Sequence, residues 1–183
     1  MEDPSSNPFS PPKAVVADVP TAPYQQGTPF FAVSTRKLAV MFLCTFSLYQ
    51  YFWFYKNWKI LRDQQREKLS PVLRTVFAPV FCYALFSRIR RHDAAPADAK
   101  LAAGPLSVVW IVLSLLGNLP EPYFFLGFFS LVPLLTVQTV VNDINAVAAK
   151  GHDPNNAFSP INWLAIVIGV LFTLLALVGT LIS

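Results

Sequence analysis

Few residues in this chain have side chains suited to chemistry or to holding a ligand. Gln138, Asn142 and Asn145 recur at spacings of four and three, so they share one face of a helix. Together with Gln50 from an earlier helix they form a candidate polar pocket, or else an ordinary wet helix surface. His92-Asp93 and His152-Asp153 lie on separate loops, and a metal site would need both loops to converge. Arg62, Arg66, Arg74, Arg88, Arg90 and Arg91 are candidate contacts for lipid phosphate. Cys44 and Cys82 sit in apolar contexts without a CxxC spacing and read as buried free thiols. No HExxH, GxSxG or glycine-rich phosphate loop occurs, so the residues predict no enzyme, no metal and no cofactor.

The elements that would position these residues follow from composition. Of 183 residues, 54% are hydrophobic and only 13% are charged, against about 25% charged in an ordinary soluble domain. Charge-free runs over 38–55, 105–118, 123–141 and 161–182 predict four spanning helices. Between Arg74 and Arg88 the uncharged stretch is too short for a span and carries Pro79, which predicts a short amphipathic or re-entrant helix over 71–89. Ser70-Pro71 and Ser159-Pro160 predict helix starts, and Pro120-Glu121-Pro122 predicts a tight turn. Residues 1–33 read as a disordered, proline-rich N-terminal tail and 34–183 as an integral membrane helical domain. The expected fold class is all-α, a polytopic transmembrane helix bundle.

Placement of charge suggests the partners. Ten of the 14 basic residues lie between 56 and 100 beside four acidic ones, a local excess that fits a cytoplasmic membrane face and an anionic lipid bilayer. No recognised nucleic-acid module surrounds that block, so nucleic acid is excluded as a partner. Ala165, Gly169, Thr173, Ala176 and Thr180 form a ridge of small residues that would let another helix approach, pointing to a homo-oligomer or a membrane-protein partner. The expectation is a non-enzymatic membrane protein: an accessory, scaffold or oligomerising subunit. The alternative is a small transporter or channel component, its path lined by polar residues of the helices carrying Gln50 and Gln138.

One stretch carries a resemblance. Tyr49, Trp53, Phe54, Tyr55, Lys56, Asn57, Trp58 and Lys59 place an aromatic helix end directly before Lys-Asn-Trp-Lys. This resembles a group of small, poorly characterised bacterial multi-pass membrane proteins. The resemblance implies residence in the bacterial cytoplasmic (inner) membrane and supplies no activity.

Overall fold

The computed structural model describes residues 27–96, 101–120 and 123–182, with side chains described to residue 175. Residues 1–26 of the tail expected over 1–33, the Glu121 turn and the ridge side chains of Ala176 and Thr180 lie outside the described residues.

Residues 27–33 run extended as a strap, with Phe30 and Val33 buried. Helix α1 (Thr35–Cys44) follows, started by Ser34, whose hydroxyl accepts from the Lys37 N–H at 3.2 Å. Helix α2 (Leu48–Gln65) buries Tyr49, Gln50, Trp53, Phe54, Asn57, Trp58 and Leu61, a stripe at helical spacing. Helices α3 (Pro71–Val76) and α4 (Ala78–Arg90) meet at Phe77, and Ser70 caps α3 by accepting from Leu73 N. Helix α5 (Ala103–Leu116) packs against a 3₁₀ segment (Tyr123–Ser130) that leads into α6 (Leu131–Ala148). Helix α7 (Pro160–Ile182) leans on α1, and Asn162 N donates to Ser159 Oγ at its start.

Aromatic residues dominate the core. Trp53, Phe54, Trp58, Phe86 and Trp110 are fully buried, with Phe54 stacked on Phe86 and tilted against Trp110 at 4.8 Å. Each such ring contributes about 1.5–3 kcal/mol by leaving water, so α2, α4 and α5 are held chiefly by these contacts.

The all-α expectation agrees with the structure; the four-span expectation does not. The run 38–55 is broken between α1 and α2, and 71–89 is divided at Phe77. Pro79 and Pro133 fall in the first turns of α4 and α6, where a missing N–H leaves no helical bond unmade. Among the described residues one helical stretch, Tyr123–Ala148, is long and apolar enough to cross a membrane. Its most apolar window is 44% buried inside the protein. Ala103–Leu116 is apolar but shorter, and the part of α7 whose side chains are described, Pro160–Leu175, is apolar as well. With four spans gone, the multi-pass inner-membrane localisation loses its basis.

Exposed apolar side chains are nevertheless numerous on the outer faces of α5, the 3₁₀ segment and α7, including Val108, Phe125, Phe129, Leu171 and Phe172. Patches of this kind mark contact with something else in a working protein.

Candidate functional site

Uncharged polar side chains enter the interior at two places. The strap marks one of them. Asn145 reads both backbone groups of Phe30: its Oδ1 accepts from Phe30 N at 3.2 Å and its Nδ2 donates to Phe30 O at 3.1 Å. Asn57 Oδ1 accepts from Phe31 N at 3.0 Å, and Asn155 Nδ2 donates to Ala32 O at 3.0 Å. Gln138 Nε2 donates to Val33 O at 2.9 Å and Asn142 Oδ1 at 2.8 Å, with Phe31 O further off at 3.4 Å. Its Oε1 accepts from Trp53 Nε1 at 2.5 Å. Gln64 Nε2 holds Thr28 O at 2.9 Å. Carboxamides thus take the role of a neighbouring β-strand, satisfying a buried extended backbone that has no strand partner.

This clamp decides where several expected site residues go. Gln138, Asn142 and Asn145 are brought together, as their spacing predicts, but their polar atoms are spent on the strap and on one another. Gln50 lies elsewhere, its Oε1 accepting from Trp110 Nε1 at 3.2 Å. A transport path along Gln50, Gln138 and Asn142 is therefore overturned. Lys37 is 4% exposed and donates to Asn155 Oδ1 and Ala157 O, both at 2.7 Å. Burial lowers its pKa below the ordinary lysine value, and the charge of Asp153 opposes that shift.

The basic residues do not form a lipid collar. Arg62 pairs with Asp63 beside Lys59, and Arg88 forms a two-pronged bond to Glu67 at 2.9 and 3.0 Å. The hydrogen bonds from Arg88 hold the Glu67 carboxyl below its usual range. Arg74 lies over the buried Trp58 ring at 4.4 Å, while Arg66, Arg90 and Arg91 are exposed on different elements. The anionic-bilayer partnership rested on the local excess of basic residues over 56–100; with Arg62 and Arg88 paired to carboxylates of the same chain and Arg74 packed on Trp58, it loses that basis. At Gly169 the small-residue ridge is likewise used within the chain. A Cβ on Gly169 would overlap the Cys44 carbonyl, so the close approach serves α1 against α7 and gives no ground for an oligomer or an accessory-subunit role.

The histidines stay apart. His92 packs edge-on to Phe30 at 5.5 Å, and His152 Nδ1 contacts Ala149 O at 2.9 Å. Among the described residues no three or more His, Cys, Asp or Glu side chains gather as a metal site would require.

The second place lies beside the α1–α2 break. Phe46 and Ser47 have φ of 49° and 69°, left-handed backbone without a glycine. Such geometry costs about 1–2 kcal/mol per residue. It is held by Ser47 N donating to Phe42 O at 2.8 Å and by the Thr45 hydroxyl, which donates to Met41 O at 2.7 Å and accepts from Tyr49 N at 2.9 Å. The break opens a cavity of about 230 Å³ toward α5 and the 3₁₀ segment. Phe46, Tyr51, Phe124 and Phe128 give it aromatic walls; Ser47, Gln50, Ser114 and Asn118 give it polar ones. Gly117 and Gly127 bring the two walls together, since a Cβ on Gly127 would run into the backbone of Gly117.

Two properties define what this cavity can do. Among the described residues none of its lining is Lys, Arg, Asp, Glu, His or Cys, so that lining offers no charge and little for general acid–base work. Ser114 Oγ is buried and has no hydrogen-bond partner among the described residues, whereas Asn118 Nδ2 is engaged with Ser114 O at 2.8 Å. Ser114 Oγ shares this state with Trp58 Nε1 and Ser130 Oγ, and, closed off from solvent, it does not itself face the cavity. Of these residues the sequence pointed to Gln50 alone. Ser114 and Asn118 stand four apart on an apolar helix, a weak signal, and nothing in the sequence marks Phe46-Ser47 as a left-handed turn.

The chain matches no family model, no curated protein and no solved structure. The resemblance to small bacterial membrane proteins is thus unsupported. Its aromatic residues also serve another end, with Trp53, Phe54 and Trp58 in the core rather than in an interfacial belt.

Proposed function

We propose that this protein is a non-catalytic binding protein for a small uncharged molecule, one with an amide- or alcohol-type group beside an apolar body. The observation that carries the reading is the aromatic-walled cavity itself, whose described lining holds uncharged polar side chains and no charged one. Binding sites of this type combine apolar walls with a few placed polar groups. A charged ligand would lose its hydration there without gaining a counter-charge.

Calorimetric titration with benzamide, benzoate and benzamidinium tests it, because the three share a shape and differ in charge. Benzamide is expected to bind saturably and the two ions at least about tenfold more weakly. Equal binding of all three, or none by benzamide, contradicts the proposal.

A further inference from the structure

We infer that the strap clamp is a groove for the main chain of an extended apolar peptide, filled in cis by residues 27–33 and open in trans to a partner's segment of the same chemistry. The inference goes beyond the cavity reading and does not depend on it. Asn57, Gln64, Gln138, Asn145 and Asn155 bond to the strap at Phe31 N, Thr28 O, Val33 O, both groups of Phe30, and Ala32 O. Every one of these strap atoms belongs to the backbone, so the clamp reads an extended main chain. Peptide-recognition grooves work in this way: main-chain hydrogen bonds hold the segment, and pockets select its side chains. The five carboxamides come from α2, α6 and the loop before α7. None comes from α1, the helix into which the strap runs, so the occupant and its receptor are separate stretches of chain.

The pockets define the occupant. Phe30 is buried edge-on to His92 at 5.5 Å, and Phe31 lies edge-on to Phe52 at 5.7 Å with the Lys56 ammonium 5.6 Å from its ring. Val33 is fully buried, while Ala32 is only partly covered. A matching segment therefore carries two consecutive aromatic residues, a small residue and a branched apolar one. Exchange conserves hydrogen bonds, because each carboxamide that releases the strap takes the same main-chain group of the incoming peptide. No ladder is broken, since the strap is not in a strand. What favours the strap is its tether, equivalent to an effective concentration of about millimolar. Weakening the strap shifts the balance towards the partner.

The test uses a fluorescent peptide of sequence Gly-Thr-Pro-Phe-Phe-Ala-Val, the full chain, and the variants Phe30→Leu and Val33→Ala, which loosen the strap and keep it apolar. The peptide is expected to bind each variant at least about tenfold tighter than the wild type. Methylating the backbone nitrogens of its two Phe residues removes the hydrogens that Asn145 and Asn57 accept, and is expected to weaken binding at least about tenfold. A second measurement needs no variant: hydrogen exchange at Phe30 and Phe31 of the wild type is expected to quicken at least about tenfold in about millimolar peptide. Binding to both folded variants no tighter than to the wild type, or equal binding of the methylated peptide, overturns the inference. Should neither variant fold, unchanged exchange in the wild type overturns it alone.

Discussion

The strap clamp and the cavity beside the α1–α2 break both bring uncharged polar side chains inside the protein, and they complete them differently. At the clamp, Gln138 and Asn145 find partners for both ends of their carboxamides within the chain. At the cavity, Ser114 Oγ finds none among the described residues. A satisfied buried amide network fixes a conformation and has nothing left to give a ligand. An incomplete one beside an empty space is where a ligand adds most.

That contrast makes the clamp the place of largest stability loss. Gln138→Leu strips Trp53 Nε1 of its acceptor and Val33 O of its donor at once, and unfolding stability is expected to fall by about 3 kcal/mol in urea titration. A loss under about 1 kcal/mol would show that the strap is held by its apolar side chains alone.

Alkali gives the next effect. Burial pushes the Tyr49 hydroxyl from 10.0 up to about 12 and the Cys82 thiol from 9.0 up to about 12. The unfolded chain releases these protons first, so the folded state holds more of them and stability falls as pH rises from about 9 towards 12. The shifts together correspond to about 3 kcal/mol near pH 10.5, while the lowered pKa of Lys37 works in the opposite direction. Tyr49→Phe should flatten the slope; an unchanged slope would place the titration elsewhere.

A smaller effect of opposite sign belongs to the break. Ser47→Gly relieves left-handed backbone and is expected to stabilise the protein by about 1 kcal/mol. Smallest of all is Ser114→Ala. It removes a hydroxyl that has no partner among the described residues, so stability in urea titration should change by less than about 0.5 kcal/mol.

Local signals were legible in the sequence. Ser70-Pro71 and Ser159-Pro160 start helices because cap and proline act within one turn. The 138/142/145 face was legible because helical spacing fixes it. What such a face meets is decided by tertiary packing, and so the polar face went to the strap instead of to water or a path. The charge-free run over 38–55 hid a break because Phe46 and Ser47 adopt left-handed backbone without glycine or proline. Gly169 announced a close helix approach, but the partner turned out to be Cys44 of the same chain. The apolar character of α7 was equally plain, and its outward face shows that hydropathy alone does not say what an apolar surface touches.

The central claim is tested most directly by measuring unfolding free energy against benzamide concentration in the wild type, Gln138→Leu and Ser114→Leu. A ligand that binds only the folded state stabilises it by an amount set by its concentration relative to its dissociation constant. The account predicts equal ligand-dependent gains in the wild type and in the weakened clamp variant, and no gain in Ser114→Leu, whose side chain fills the cavity. An undiminished gain in Ser114→Leu, or its loss in Gln138→Leu alone, would place binding at the clamp and contradict the assignment of the site.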